Sequence, residues 1–130
     1  SREPEIYGSV TLEEIESEIL KYGKSHNLEI ECFQSNHEGN IVDFIQKHSK
    51  DSFGIIINPG ALTSSGYSLV DAIIDSNLAT IEVHLSNIHA REKFRSTSII
   101  APISIGQISG LGKKGYIFAL KHLIDQINSK

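Results

Sequence analysis

The chain contains no methionine and no tryptophan, one cysteine and three prolines among its 130 residues. A single thiol cannot close an intrachain disulfide, so the fold has to rest on a hydrophobic core, and a reducing cytoplasm is the expected setting. Cys32 itself sits in a strand-like run, where a buried, inert thiol is the ordinary reading. No apolar run approaches the roughly 20 residues needed to cross a bilayer, and no basic-then-apolar leader opens the chain, so neither insertion nor export is expected. Basic residues are not in excess either. Twelve Lys and Arg against sixteen Asp and Glu give a formal charge of -4 and a sequence pI near 5.8. The two signs are interspersed, which leaves no electrostatic footprint for nucleic acid or an anionic membrane.

What is present is the composition of a soluble globular domain, 39% hydrophobic and 22% charged, in a length suited to one domain spanning residues 1–130. Residues 1–9 are polar, contain Pro4 and Gly8, and read as a loop. Thr11 and Glu14 form a capping box, after which Leu12, Ile15 and Ile19 recur at helical spacing, with Gly23 near the expected end. Leu28 to Phe33 alternates like a strand. Ile41, Val42, Phe44, Ile45 and His48 stripe a second helix, and Phe53 to Ile57 is a continuous strand of the fully buried kind. A third helix is expected over Gly66 to Asn77, a strand over Leu78 to His84, a further strand within Ile99 to Ser109, and an amphipathic helix over Gly115 to Ile127.

This alternation predicts an α/β fold, a doubly wound parallel sheet covered by helices on both faces, of the flavodoxin-like type. No internal repeat or linker interrupts it. A doubly wound domain ordinarily opens with a strand, which in the flavodoxin order is central, whereas here only a loop precedes the first helix. A longer natural polypeptide carrying that strand is therefore expected.

The densest chemistry lies in Glu82-Val-His84-Leu-Ser-Asn-Ile-His-Ala-Arg91-Glu-Lys-Phe-Arg95-Ser-Thr-Ser98, directly after a strand. Glu82 and His84 are two apart, so in a strand both side chains share one face. A carboxylate beside an imidazole fixes its tautomer and suits a group that must donate a proton. The same pair could instead begin a metal site with His89 as a third ligand. His26, His37, His48 and His122 show no ligand spacing and read as solvated surface. Gly106 to Gly115 is rich in glycine but lacks the Gly-Lys-Ser/Thr of a phosphate loop, and reads as a strand-to-helix turn.

Together with Asn58-Pro59-Gly60-Ala61 and Arg2-Glu3-Pro4-Glu5-Ile6-Tyr7-Gly8, this segment resembles the type II 3-dehydroquinate dehydratases, hydro-lyases of the shikimate pathway. The resemblance implies anti elimination of water from 3-dehydroquinate through an enolate, giving 3-dehydroshikimate, with no metal or organic cofactor. It assigns Tyr7 as the base, Arg2 and Arg91 as the guanidiniums that activate it, His84 as the general acid and Glu82 as its orienting carboxylate. Asn58, Leu85 and Ser86 match the positions that bind the substrate carboxylate, Arg95 the clamp on ring hydroxyls, and Asp71 an acidic residue that reaches toward a neighbouring subunit. A homododecamer built as a tetramer of trimers is also implied.

Taken alone, Tyr7 would be a packing residue, Arg2 a solvated terminus, Asp71 a solvated helix residue and Asn58-Pro-Gly a turn. The chain departs from the family six residues after Asn58, where Ser64 stands in place of a histidine that bonds substrate hydroxyls. That departure leaves a second reading open: a weakened family member that binds a cyclitol carboxylate or acts as an assembly subunit.

Overall fold

The computed structural model describes residues 12–90 and 97–129. Arg2, Tyr7, Thr11, Arg91 and Arg95 lie outside the described residues. Within them the order is α1 (Leu12–Ser25), α2 (Glu38–His48), β1 (Gly54–Ile57), α3 (Tyr67–Ser76), β2 (Ala79–His84), β3 (Gly106–Ser109) and α4 (Lys114–Asn128). Single 3-10 turns occupy Ser49–Asp51, Gly60–Ser64, Ile88–Ala90 and Ala101–Ile103.

The three strands form one parallel sheet in the order β1-β2-β3. Ile57 lies beside Glu82, and Glu82 beside Gln107. Parallel neighbours need crossovers, which α3 supplies between β1 and β2. Strand alternation divides the core. Ile55 and Ile57 face α2 and α3, where Ile45, Leu69, Ala72 and Ile73 are buried. Ile81 and Val83 face Ala119 and Leu123 of α4. Ile56 also faces that side, where Ile15 and Ile19 of α1 pack with Leu120 and Ile124. Each helix thus presents one apolar stripe to the sheet, as the 3.6-residue period requires.

The side of β2 opposite Ile81 and Val83 carries Thr80, Glu82 and His84, which are buried although polar. The Thr80 hydroxyl is satisfied by donating to the Leu78 carbonyl at 3.1 Å. Polar residues on the sheet face that elsewhere holds Ile55 and Ile57 mark the point where the core gives way to a site.

One expectation is corrected. Leu28 to Phe33 forms no ladder, because no described strand lies alongside it and an extended segment needs a partner to become a strand. Its alternation survives as sidedness, with Leu28 and Ile30 packed against the α1–α4 cluster while Glu29 and Glu31 are exposed. Gly23 lies near the end of α1, as expected, two residues before its last residue, Ser25. The left-handed residue there is Asn27, at φ 60°, and the Leu28 amide closes the end by donating to the Gly23 carbonyl at 2.9 Å. Gly23 is also a close-approach position, since a Cβ there would lie 2.4 Å from Cδ1 of Ile30.

Candidate active site

Parallel strands bring their carboxyl ends to one edge, where open α/β sheets place their ligands. Asn58 follows β1, His84, Leu85 and Ser86 close β2, and Ser109 with Gly110 closes β3. The edge is tied together by backbone bonds: Gly110 N donates to the His84 carbonyl at 3.2 Å and Gly112 N to the Leu85 carbonyl at 2.9 Å. Ser109 pins the chain after β2, its hydroxyl donating to the Ser86 carbonyl at 3.2 Å and accepting from Ile88 N at 3.2 Å.

At the centre is Glu82, with no exposed surface. Its Oε2 is hydrogen-bonded to Nε2 of His84 and accepts from Nε2 of Gln107 at 3.0 Å. Its Oε1 accepts from the Ser98 hydroxyl at 2.7 Å. That hydroxyl has one proton and two lone pairs, and the lone pairs already accept Ile100 N at 3.1 Å and Ala101 N at 3.0 Å. Ser98 therefore can only donate. Gln107 is equally constrained, because its Oε1 faces Nε2 of His89 at 2.8 Å, which leaves the amide NH2 for Glu82.

Among the described residues, Ser98 and Gln107 can only donate to Glu82, a setting that favours the ionised carboxylate, which then accepts from His84 as well. Burial pushes its pKa up, and the bonds from His84, Ser98 and Gln107 outweigh that, holding the carboxyl below the usual carboxylate range. Because the carboxylate accepts and cannot donate, Nε2 of His84 carries a proton, and the second ring position at which the imidazole can gain or lose one is Nδ1.

Asn58 is exposed and held from two sides. Its Oδ1 accepts Gly60 N at 3.1 Å, and its side chain bonds the Tyr116 phenol, whose pKa burial raises and this bond partly lowers. Ser64 is exposed at the end of the Gly60–Ser64 turn. That turn is anchored through Thr63, whose carbonyl accepts Ile99 N at 2.9 Å, one residue from the Ser98 that holds Glu82. Leu85 and Ser86 are half-buried just past the strand end. Asp71 stands exposed on α3, with nothing among the described residues tying it to the Glu82–His84 pair.

His89 turns to Gln107 rather than joining the pair as a ligand would. His48 is not fully solvated as expected: it is half-buried against Phe44, with ring centroids 4.4 Å apart. Ser98, Gln107, Ser109 and Tyr116 were not foreseen as site residues. The one signal available was Gln107 and Ser109 sharing a face on a strand two residues apart.

Comparison with known proteins decides the family. The profile of the family described as Dehydroquinase class II matches residues 1–124. The chain belongs to the class II dehydroquinase family. A 3-dehydroquinate dehydratase of Halothermothrix orenii is 50% identical over 126 residues, covering 97% of this chain and 85% of that protein. Another, of Endomicrobium trichonymphae, is 53% identical over 123 residues, covering 95% and 86%. The crystal structure of a type II dehydroquinase from Butyrivibrio crossotus superimposes with a TM-score of 0.89 at 48% identity, over 94% of this chain and 86% of that one. Likeness at this level bears out the α/β, flavodoxin-like architecture expected from the alternation of elements.

Proposed function

We propose that the chain dehydrates 3-dehydroquinate to 3-dehydroshikimate by anti elimination through an enolate. The relatives that carry the name 3-dehydroquinate dehydratase support the substrate. The observation that carries the mechanism is the donor-only surround of Glu82, which keeps a buried anion against one nitrogen of His84.

In this reading Tyr7, as phenolate, removes the proton on the carbon beside the ketone, and the electron pair passes into the enolate. Arg2 and Arg91 favour the phenolate by their fixed positive charge. As the enolate collapses, the bond from carbon to the leaving hydroxyl breaks, and His84 gives that oxygen a proton so that water departs. The product is an enone conjugated with the new double bond. Glu82 keeps the imidazole in one orientation and balances its charge while it holds both protons. Asn58, Leu85 and Ser86 bind the substrate carboxylate, Arg95 and Ser64 the ring hydroxyls, and Asp71 serves the site of an adjacent subunit. All of these groups belong to the polypeptide, so the reaction proceeds with no cofactor.

The test is a steady-state assay of the full chain on 3-dehydroquinate, following the ultraviolet absorbance of the enone. His84→Asn and Tyr7→Phe should each lower kcat by about 10² or more, with KM within a few fold, because acid and base act in the transition state. A wild-type rate from either variant overturns that residue's role, and no enone from the unmodified protein overturns the substrate.

We also propose a homododecamer in the cytoplasm. Exposed apolar side chains such as Phe53, Tyr67 and Ile74, which subunit contacts would cover, support the assembly, and the lone thiol of Cys32 supports the compartment. Light scattering should give twelve times the subunit mass. No described helix is long and apolar enough to cross a membrane.

A further inference from the structure

We propose that Gln107 and His89 are positioning residues that hold the Glu82 carboxylate against His84. The proposal rests on His84 being the general acid, and it extends the site beyond the residues that the family resemblance supplies. Gln107 lies directly beside Glu82 in the β2–β3 register, and its amide reaches Oε2 at 3.0 Å. A carboxylate oxygen offers two in-plane lone pairs. With one occupied by Gln107 and the other by His84, Oε2 has no freedom to turn away from the imidazole.

An amide is a reversible part, however. Turned over, Gln107 would bring its carbonyl oxygen against an anion. What distinguishes the two orientations is His89, whose Nε2 lies 2.8 Å from Oε1 of Gln107. A ring N–H there binds the carbonyl oxygen and leaves the NH2 group for Glu82. His89 is in turn fixed by its place in the Ile88–Ala90 turn. Its backbone N donates to Oδ1 of Asn87 at 3.0 Å, and the preceding Ile88 N is held by the Ser109 hydroxyl at 3.2 Å.

Nothing in the folding of β3 calls for this arrangement. A half-exposed position on a short strand accepts valine or threonine more readily than glutamine. Leucine at 107 would leave Oε2 with a single donor, and glutamate would set a second anion against the first. An exposed imidazole paired with a glutamine carbonyl likewise serves no core.

The experiment compares Gln107→Leu, His89→Leu and His89→Gln with the unmodified full chain, reading kcat, KM, the kcat–pH profile and the melting temperature. Gln107→Leu should lower kcat about ten-fold with KM within two-fold, as expected when an interaction matters to the transition state alone. The acid limb of its kcat profile should move to higher pH, because a carboxylate stripped of a donor takes up a proton more readily. Among the described residues, the titratable group facing Glu82 directly is His84, with His89 acting through Gln107. His89→Leu should show the same two changes at smaller size. His89→Gln, which presents an amide N–H near the position of Nε2, should restore both.

His89 is exposed, so its replacement leaves packing intact and the comparison stays decisive if Gln107→Leu folds poorly. Wild-type kcat and an unmoved acid limb in His89→Leu overturn the proposal, as does failure of His89→Gln to recover what His89→Leu loses. His84→Asn is measured in parallel. If it too is fully active, the acid assignment is what has failed. If it is inactive while the Leu variants behave as wild type, the positioning role alone falls.

Discussion

Replacing Glu82 by glutamine changes one buried oxygen to NH2 at almost constant volume, and the donors around it determine the cost. With the new amide oxygen at the Oε2 position, the bonds from His84 and Gln107 survive, but the NH2 group then faces Ser98, whose lone pairs are already taken by Ile100 N and Ala101 N. Turned the other way, the NH2 faces the Gln107 amide, and His84 can bond it only by moving its proton to Nδ1. Either orientation creates at least one donor-to-donor contact and loses one bond to a charged acceptor, worth about 1.5–3 kcal/mol. Release from burying an anion offsets part of this. A net loss of about 2 kcal/mol follows, equivalent to a melting temperature lower by roughly 5–10 °C for a domain of this size. Activity should fall further, by about 10²–10⁴-fold in kcat, since the imidazole loses the anion that balances its charge and, with the NH2 toward it, its fixed tautomer as well.

The pH dependence carries a definite sign. The Glu82 carboxyl is held below its ordinary value in the folded state, so its contribution is fully present above the unfolded carboxylate pKa of about 4.3. That contribution is lost as pH falls through the lowered folded value. Glutamine does not titrate. Urea midpoints of the two proteins should therefore be well separated at pH 7 and converge under acid conditions below pH 4. Equal midpoints at pH 7 together with retained kcat would refute the donor-only account of the site, as would a gap that stays constant into acid.

Three further outcomes are expected. Gly115→Ala puts a Cβ 3.0 Å from Cγ1 of Val83 and 3.3 Å from Cγ2 of Ile108; overpacking of about 1–2 kcal/mol should lower the melting temperature, and kcat as well, because Val83 lies between Glu82 and His84 on β2. Ser64→His should raise kcat/KM on 3-dehydroquinate by about ten-fold, the equivalent of about 1.4 kcal/mol, if a direct bond to a ring hydroxyl is what the serine lacks; lower activity would mean that Ser64 belongs to a pocket adapted around it. The Cys32 thiol is pushed up by burial and by Glu16 and Glu31, so iodoacetamide should label it more slowly at pH 8 than a free thiol peptide, and equal rates would contradict that environment.

Periodicity made most of this fold legible. The stripes of α1 to α4 and the strands β1 and β2 fall where apolar spacing puts them, because each element buries one face and the period records which. Leu28 to Phe33 was misread for a related reason: alternation reports which side chains turn inward, and says nothing of whether a neighbouring backbone is there to pair. Glu82 and His84 could be read as a pair since two residues along a strand is a fixed geometry. Their supports could not. Ser98 and Gln107 reach Glu82 from 16 and 25 residues away, and in sequence a serine or glutamine there looks like any polar surface residue. Only the parallel register that sets Gln107 beside Glu82, and the turn that brings Ser98 to the same carboxylate, make them part of the site.

The saturation of the Ser98 hydroxyl also bears on where protons can travel. To pass a proton on, a hydroxyl must receive one at a lone pair, and both of its lone pairs are capped by backbone amides that do not release theirs. Gln107, an amide, conducts no better. Among the described residues, His84 is thus the one partner of Glu82 that can relay a proton, and no wire leads from this carboxylate to bulk water through Ser98 or Gln107. In the proposed mechanism, each proton that His84 gives up is then regained at Nδ1, from whatever occupies the pocket. Recharging of the acid is then coupled to the exchange of product for water or new substrate.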